Sequence, residues 1–171
     1  MEALYEIAVT VIIEREGKYL LTRRALNKKR WPGLWTVPGG RFEKSDYEGE
    51  PKDSVNAWYN VLERAARREV KEEVGLEVSD LSYLTSIVAE YPDGRHSLIL
   101  SMVGKYKSGD LLLQKEELEE ARWCTSAETK ELQMIDGIYD ELVMADHFFS
   151  GSGGKDEWKR AQELSWSRNY F

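Results

Sequence analysis

Residues 68–76 read Arg-Glu-Val-Lys-Glu-Glu-Val-Gly-Leu, and this run constrains the chain more than any other. The apolar residues Val70 and Val74 alternate with charge at helical spacing, and Gly75 is placed to stop a helix. At about 100° per residue, Glu69, Glu72 and Glu73 span an arc of roughly 100°. Three like charges on one side of a helix repel one another and need a counter-charge. A hard divalent cation such as Mg²⁺ is the natural one, because it prefers carboxylate and phosphate oxygen. Arg67, Arg68 and Lys71 interleave with the acids, so on spacing alone a solvated charged face is the simpler account.

Composition narrows the partners. The chain has 171 residues, enough for one domain with a sizeable core. Its net charge of −7 disfavours nonspecific binding to nucleic acid or to anionic lipid. A small anionic substrate stays compatible with that charge, since a metal ion and local cations can reverse the potential where it binds. Cys124 is the only cysteine, so neither an intrachain disulfide nor a multi-cysteine zinc site can form. A reducing, cytoplasmic setting is expected. The apolar run Ile7–Ile13 is far shorter than the roughly 20 residues of a membrane span and reads as a buried strand.

The β-branched run Ala8–Ile13, the turn at Glu16-Gly17-Lys18 and the run Tyr19–Thr22 read as a hairpin. A cationic and aromatic loop follows, with Arg23, Arg24, Lys28, Lys29, Arg30 and Trp31. Leu34–Val37 reads as a short strand ended by Pro38-Gly39-Gly40. Residues 41–54 read as an acidic loop, and Asp53 or Ser54 is placed to cap a helix running from Val55 to Val74. Strands are expected near Leu81–Ala89, Leu98–Val103 and Ala121–Trp123, and helices over Ala127–Leu132 and Asp136–Phe149. Ser150–Gly154 has linker composition, so the chain divides into a domain over 1–149 and a linker with an aromatic-rich appendage over 150–171.

The segment Trp35–Gly40, followed by Arg68–Leu76, resembles the Nudix hydrolase signature G-x₅-E-x₇-R-E-U-x-E-E-x-G-U, where U is aliphatic. The last nine positions match completely. The resemblance covers roughly residues 5–145 and implies an α/β fold, a Nudix-type α/β/α sandwich with a mixed β-sheet. Two departures stand out. About 14 extra residues separate Gly40 from Arg68 and are placed near 41–54. Counting back from Arg68, the first Glu of the pattern falls on Asn60, leaving Glu48 or Glu50 as replacements from the insertion.

The resemblance implies a magnesium-dependent pyrophosphohydrolase, with Mn²⁺ as an allowed substitute for Mg²⁺. Its substrate is a nucleoside diphosphate linked to another group, such as an NTP, a dNTP or ADP-ribose. Glu69, Glu72 and Glu73 would hold the metal, and one of them or Glu117 would orient or deprotonate water. Arg23, Arg24, Gly39, Gly40 and Trp35 are the expected substrate contacts, and Arg68 is expected to lock loop to helix. Trp31, Tyr91 and Trp123 are further stacking candidates. A homodimer is compatible with the sequence. Two other readings compete: a non-catalytic nucleotide-binding module, and an isopentenyl diphosphate isomerase whose substrate loop Lys28–Thr36 resembles.

Overall fold

The computed structural model describes residues 4–151. Seven strands, two α-helices and two short 3₁₀ turns follow in chain order. The strands are β1 (Tyr5–Arg15), β2 (Lys18–Arg24), β3 (Trp35–Thr36), β4 (Gly39–Arg41), β5 (Glu77–Glu90), β6 (His96–Ser108) and β7 (Leu118–Cys124). The helices are α1 (Val61–Val74) and α2 (Ile138–Ser150). The strands form one mixed sheet in the order β3-β2-β1-β6-β5, with β4 joined to β1 and β7 to β2. The β1–β6 pair is parallel, running from Tyr5↔His96 to Glu14↔Lys105.

Alternation along β1 divides the core in two. Val9, Val11 and Ile13 pack with Ala65, Ala66, Val70 and Val74 of α1. Ile12 packs on the opposite face with Ile138, Leu142 and Ala145 of α2. A strand with both faces covered must be apolar on both, as β1 is. The result is the expected α/β/α sandwich. Among the described residues, no helix is long and apolar enough to cross a membrane.

Several expectations need correction. The motif helix begins at Val61, not Val55, because Asn60 adopts the left-handed conformation (φ 55°) and breaks the helix there. Asp53 accepts the Tyr59 backbone N–H at 2.8 Å instead of capping a helix. The helix stops where expected. Gly75 has φ 74°, and a Cβ there would lie 2.8 Å from the Asp110 carbonyl oxygen. Gly39-Gly40-Arg41 forms a strand rather than a simple breaker, pairing antiparallel with Ala8–Thr10. Ala127–Leu132 shortens to a 3₁₀ turn over Glu128–Glu131. Helix α2 reaches Ser150 and is capped by Gly151, so the linker's first two residues finish this helix. The rest of the expected appendage lies outside the described residues.

Candidate active site

The last turns of α1 bring its carboxylates against β4. Glu69 and Glu73 are 9% and 7% exposed, while the Glu72 side chain is 53% exposed. Glu73 Oε2 accepts the Gly39 backbone N–H at 3.0 Å. The Glu69 carboxyl lies over Gly40, where a Cβ would come within 2.5 Å of its carbon. Burial raises the Glu73 carboxyl to about 8; the Gly39 N–H opposes that shift, and the charges of Glu69 and Glu117 add to it. Burial also raises Glu69, against the opposing pull of the Arg68 guanidinium.

Arg68 is the hub of this end of the helix. Its Nε meets Asp46 Oδ1 at 2.6 Å, and its Nη1 reaches Glu69 at 2.9 Å and Glu72 at 3.0 Å. Nη2 donates to the Arg41 carbonyl at 3.0 Å, so strand β4 is tied to helix α1 as well. Asp46 also accepts the Glu43 backbone N–H at 2.7 Å. Burial alone would raise the Asp46 carboxyl, but the Arg68 hydrogen bond and the Glu43 N–H together hold it below its ordinary value.

Asp46 corrects the placement of the insertion. Counting forward from Gly40, five residues intervene before Asp46, as G-x₅-E requires, with Asp in place of Glu. The roughly 14 extra residues therefore follow Asp46 and do not begin at residue 41. Neither Glu48 nor Glu50 takes the role: Glu48 pairs with Lys44 at 2.6 Å on the surface. The substitute is a carboxylate after all, found by counting in the other direction.

A cavity of about 850 Å³ collects much of the expected machinery. Gly39, Gly40, Glu69, Glu72, Glu73 and Glu117 all line it. So does Arg24, whose Nε donates to the Arg30 carbonyl at 3.1 Å. Arg23 is not in the lining; its guanidinium meets Glu119 at 3.4 Å and Glu120 at 3.3 Å. The reason is strand alternation. Leu21, two residues before Arg23, packs on the α2 side, whereas Leu20, four residues before Arg24, packs on the α1 side with the glutamates. Trp35 is also outside the cavity, buried in the α2-side core beneath the Arg122 guanidinium. Trp31 and Tyr91 do line the cavity, with ring centroids 5.5 Å apart. Trp123 instead packs edge-on against Tyr106. Glu117 ion-pairs with Lys28.

One buried carboxylate at this cavity escaped sequence reasoning. Glu141 of α2 lines it and is 3% exposed. Burial raises its carboxyl to about 7, opposed by a hydrogen bond from Ser101. A signal was present: Ile138, Leu142 and Ala145 mark the apolar stripe of α2, and Glu141 falls within it.

The two glycines respond differently to a methyl group. At Gly39 a Cβ would collide with the Val9 carbonyl oxygen and the Thr10 Cα, both backbone atoms. Gly39→Ala is expected to destabilise the fold. At Gly40 the obstacle is a side-chain carboxyl, which can swing away. Gly40→Ala is therefore expected to lower kcat by at least about tenfold while the melting temperature changes by only a few degrees. Thermal melts beside single-turnover assays check both. Equal loss of stability in the two variants would contradict this assignment of Gly40.

The donor set suits a hard divalent cation. It is made of carboxylate oxygens only, two of the groups are buried, and the charge of Glu69 raises the affinity of Glu73 for protons. The gap over Gly40 is shaped for the Glu69 carboxyl. In this structure Arg68 supplies the counter-charge, and no three His, Cys, Asp or Glu side chains among the described residues form a finished ligand group.

Comparison with known proteins agrees with this geometry. The family model of the NUDIX domain matches residues 4–144. The NAD-capped RNA hydrolase NudC of Edwardsiella ictaluri is 33% identical over 135 residues, covering 79% of this chain and 45% of the relative. NudC of Deinococcus radiodurans is 32% identical over 129 residues, covering 73% and 39%. The chain thus spans less than half the length of these curated relatives. Among solved structures, a NUDIX hydrolase from Alicyclobacillus acidocaldarius superposes with a TM-score of 0.67 at 19% identity, covering 84% of this chain and 91% of that one. The NUDIX domain of Shewanella oneidensis NrtR, complexed with ADP ribose, superposes with a TM-score of 0.66 at 15% identity, covering 86% and 90%. A sandwich of this topology, a motif helix whose glutamates face a paired glycine strand, and a domain match over most of the length lead to one assignment: the chain belongs to the Nudix family.

Proposed function

We propose that this chain hydrolyses a phosphoanhydride bond in a nucleoside di- or triphosphate-like substrate with the help of Mg²⁺. The observation that carries the reading is the meeting of Glu69, Glu72 and Glu73 with Gly39, Gly40 and Arg24 on one cavity wall. Glu69, Glu72 and Glu73 are the residues that would hold the metal. Once bound, such an ion neutralises phosphate charge and makes its water more acidic.

The remaining work falls to the chain. Gly39 donates its backbone N–H to Glu73, and Gly40 lets the Glu69 carboxyl lie directly against β4, so both carboxyls are set at the cavity wall. Arg24 adds positive charge at the same wall. Glu117 is the chain's free-standing base candidate, since it belongs to the β7 side of the cavity rather than to α1. Lys28, which lines the same cavity, is ion-paired with it. Arg68 fixes the orientation of Glu69 and Glu72 rather than touching substrate.

The isomerase alternative loses its cysteine here, because Cys124 is buried in the α2-side core and is absent from the cavity lining. A pure binding module is disfavoured by the retention of all three motif carboxylates at the cavity. The names of the relatives and the ADP-ribose complex put NAD-like and ADP-ribose-like diphosphates on the panel beside the nucleoside triphosphates. Incubation of the full chain with that panel in Mg²⁺ should release phosphate, pyrophosphate or a nucleoside monophosphate from at least one member. A chelator should abolish the release. Failure to cut any of them, with binding retained, would establish the binding-module reading instead.

A further inference from the structure

Phosphate chemistry accounts for only one half of the cavity. On the α2 side of the sheet the walls are Ile87, Ile99, Ile135 and Ile138, and Glu141 stands among them. Enclosing a carboxyl in aliphatic surroundings is unfavourable unless its oxygens are satisfied. One of them is. Thr10 and Ser101 are register partners across β1 and β6, and the Thr10 hydroxyl donates to Ser101 Oγ at 3.0 Å. Ser101 in turn donates to Glu141. The other oxygen, Oε2, is shielded from solvent and has no hydrogen-bond partner among the described residues.

We infer that Glu141 determines substrate specificity by accepting, at Oε2, a hydrogen bond from an amino group on the heterocyclic base of the nucleotide. The inference rests on the hydrolase reading above and extends it to the substrate's other end. A flat ring suits the aliphatic walls, and the Trp31–Tyr91 pair adds aromatic surface to the same cavity. Only the ring's edge can meet a side chain set between such walls. In its ionised form the carboxyl accepts and does not donate, so that form requires an edge that brings an N–H. A base without it leaves Oε2 buried and unpaired, and that asymmetry is what gives hydrogen-bonding sites their selectivity.

The test uses nucleoside triphosphates that differ by one amino group, such as ATP against purine riboside triphosphate and GTP against ITP. Wild-type protein is compared with Glu141→Gln and Ser101→Ala, with inorganic triphosphate as a substrate lacking a base. Wild type should prefer the amino-bearing member of one pair by at least about thirtyfold in kcat/KM, carried mainly by KM. Glu141→Gln should shrink that preference to within about threefold and leave turnover of inorganic triphosphate unchanged. Should Glu141→Gln fail to fold, Ser101→Ala decides, because it keeps the carboxyl but frees it from the relay and should lose most of the preference. An undiminished preference in the folded variant overturns the inference. So does an equal loss on every substrate, which would mark a purely structural role. If no nucleotide is cut, the hydrolase reading fails by itself. Equilibrium binding of the corresponding nucleoside monophosphates then decides the inference: a preference for the amino-bearing form that vanishes in Glu141→Gln upholds it, and equal binding by wild type refutes it.

Discussion

Glu73→Gln is expected to lower kcat by at least about a hundredfold, the scale of losing one preorganised electrostatic group, without loss of the fold. The two halves of that expectation have one cause. Glu73 is almost fully buried, and burial raises its carboxyl from an ordinary 4.5 to about 8. The direction of the pH effect follows. In the metal-free protein this group is at its most favourable below about pH 4.5, where it is protonated whether the chain is folded or not. Stability is then lost as the pH rises toward and through about 8. Glutamine keeps the shape, and its amide oxygen can still accept the Gly39 N–H. Above pH 8 and without metal, the variant should therefore melt at the same temperature as wild type or higher, while turning over far more slowly. Glu72→Gln gives the companion result. Its side chain is half exposed, so the fold should be indifferent to the change, yet kcat should fall by a similar factor. Near-normal turnover in both variants would remove the motif helix from the chemistry.

Features set by local periodicity were legible in the chain. The β-branched alternation of Val9, Val11 and Ile13 against Ile12 marks a strand covered on both faces, and the end of α1 is announced by Gly75. What periodicity cannot carry is structure made by a partner. Gly39-Gly40-Arg41 has no intrinsic strand preference; it is a strand because β1 offers its edge there. Helix α1 starts at Val61 because the left-handed Asn60 overrides a run of tolerable helix formers before it. Arg23 and Arg24 are adjacent and chemically alike, so only the face each takes on β2 separates a surface ion pair from a cavity wall. Trp35 looked like a stacking residue, but it has the size that a core also wants. Glu141 was visible as a charge on an apolar stripe, though its significance depends on Ser101, which lies forty residues away and comes from the sheet.

Asp46 is where stability and chemistry are joined, and Asp46→Ala should affect both. Its side chain is 1% exposed and meets Arg68 Nε at 2.6 Å. Removing it leaves a guanidinium, itself largely covered, facing Glu69 and Glu72 without its main partner. Breaking a buried pair from one side costs about 3 kcal/mol or more, because the remaining charge stays desolvated. For a domain of this size, that lowers the melting temperature by roughly 6–12 °C. Asp46→Glu restores the residue type that the family pattern carries and should recover most of the loss, provided the longer side chain fits. The ion pair also sets an acid limit. The Asp46 carboxyl is held below its ordinary 3.8, so its contribution is complete above that value and disappears as the pH falls through the lower, folded-state value. Wild-type stability should therefore drop between neutrality and strong acid by more than that of Asp46→Ala, and the two curves should converge at the acid end. With Asp46 gone, Arg68 is free to pull Glu69 and Glu72 out of position, so kcat should fall as well, by about tenfold or more. Denaturation curves across pH, run beside activity assays at neutral pH, measure both effects. A variant as stable as wild type at pH 7 would show that the bonds of Arg68 to the Arg41 carbonyl and of Glu73 to the Gly39 N–H hold β4 to α1 without help from this pair.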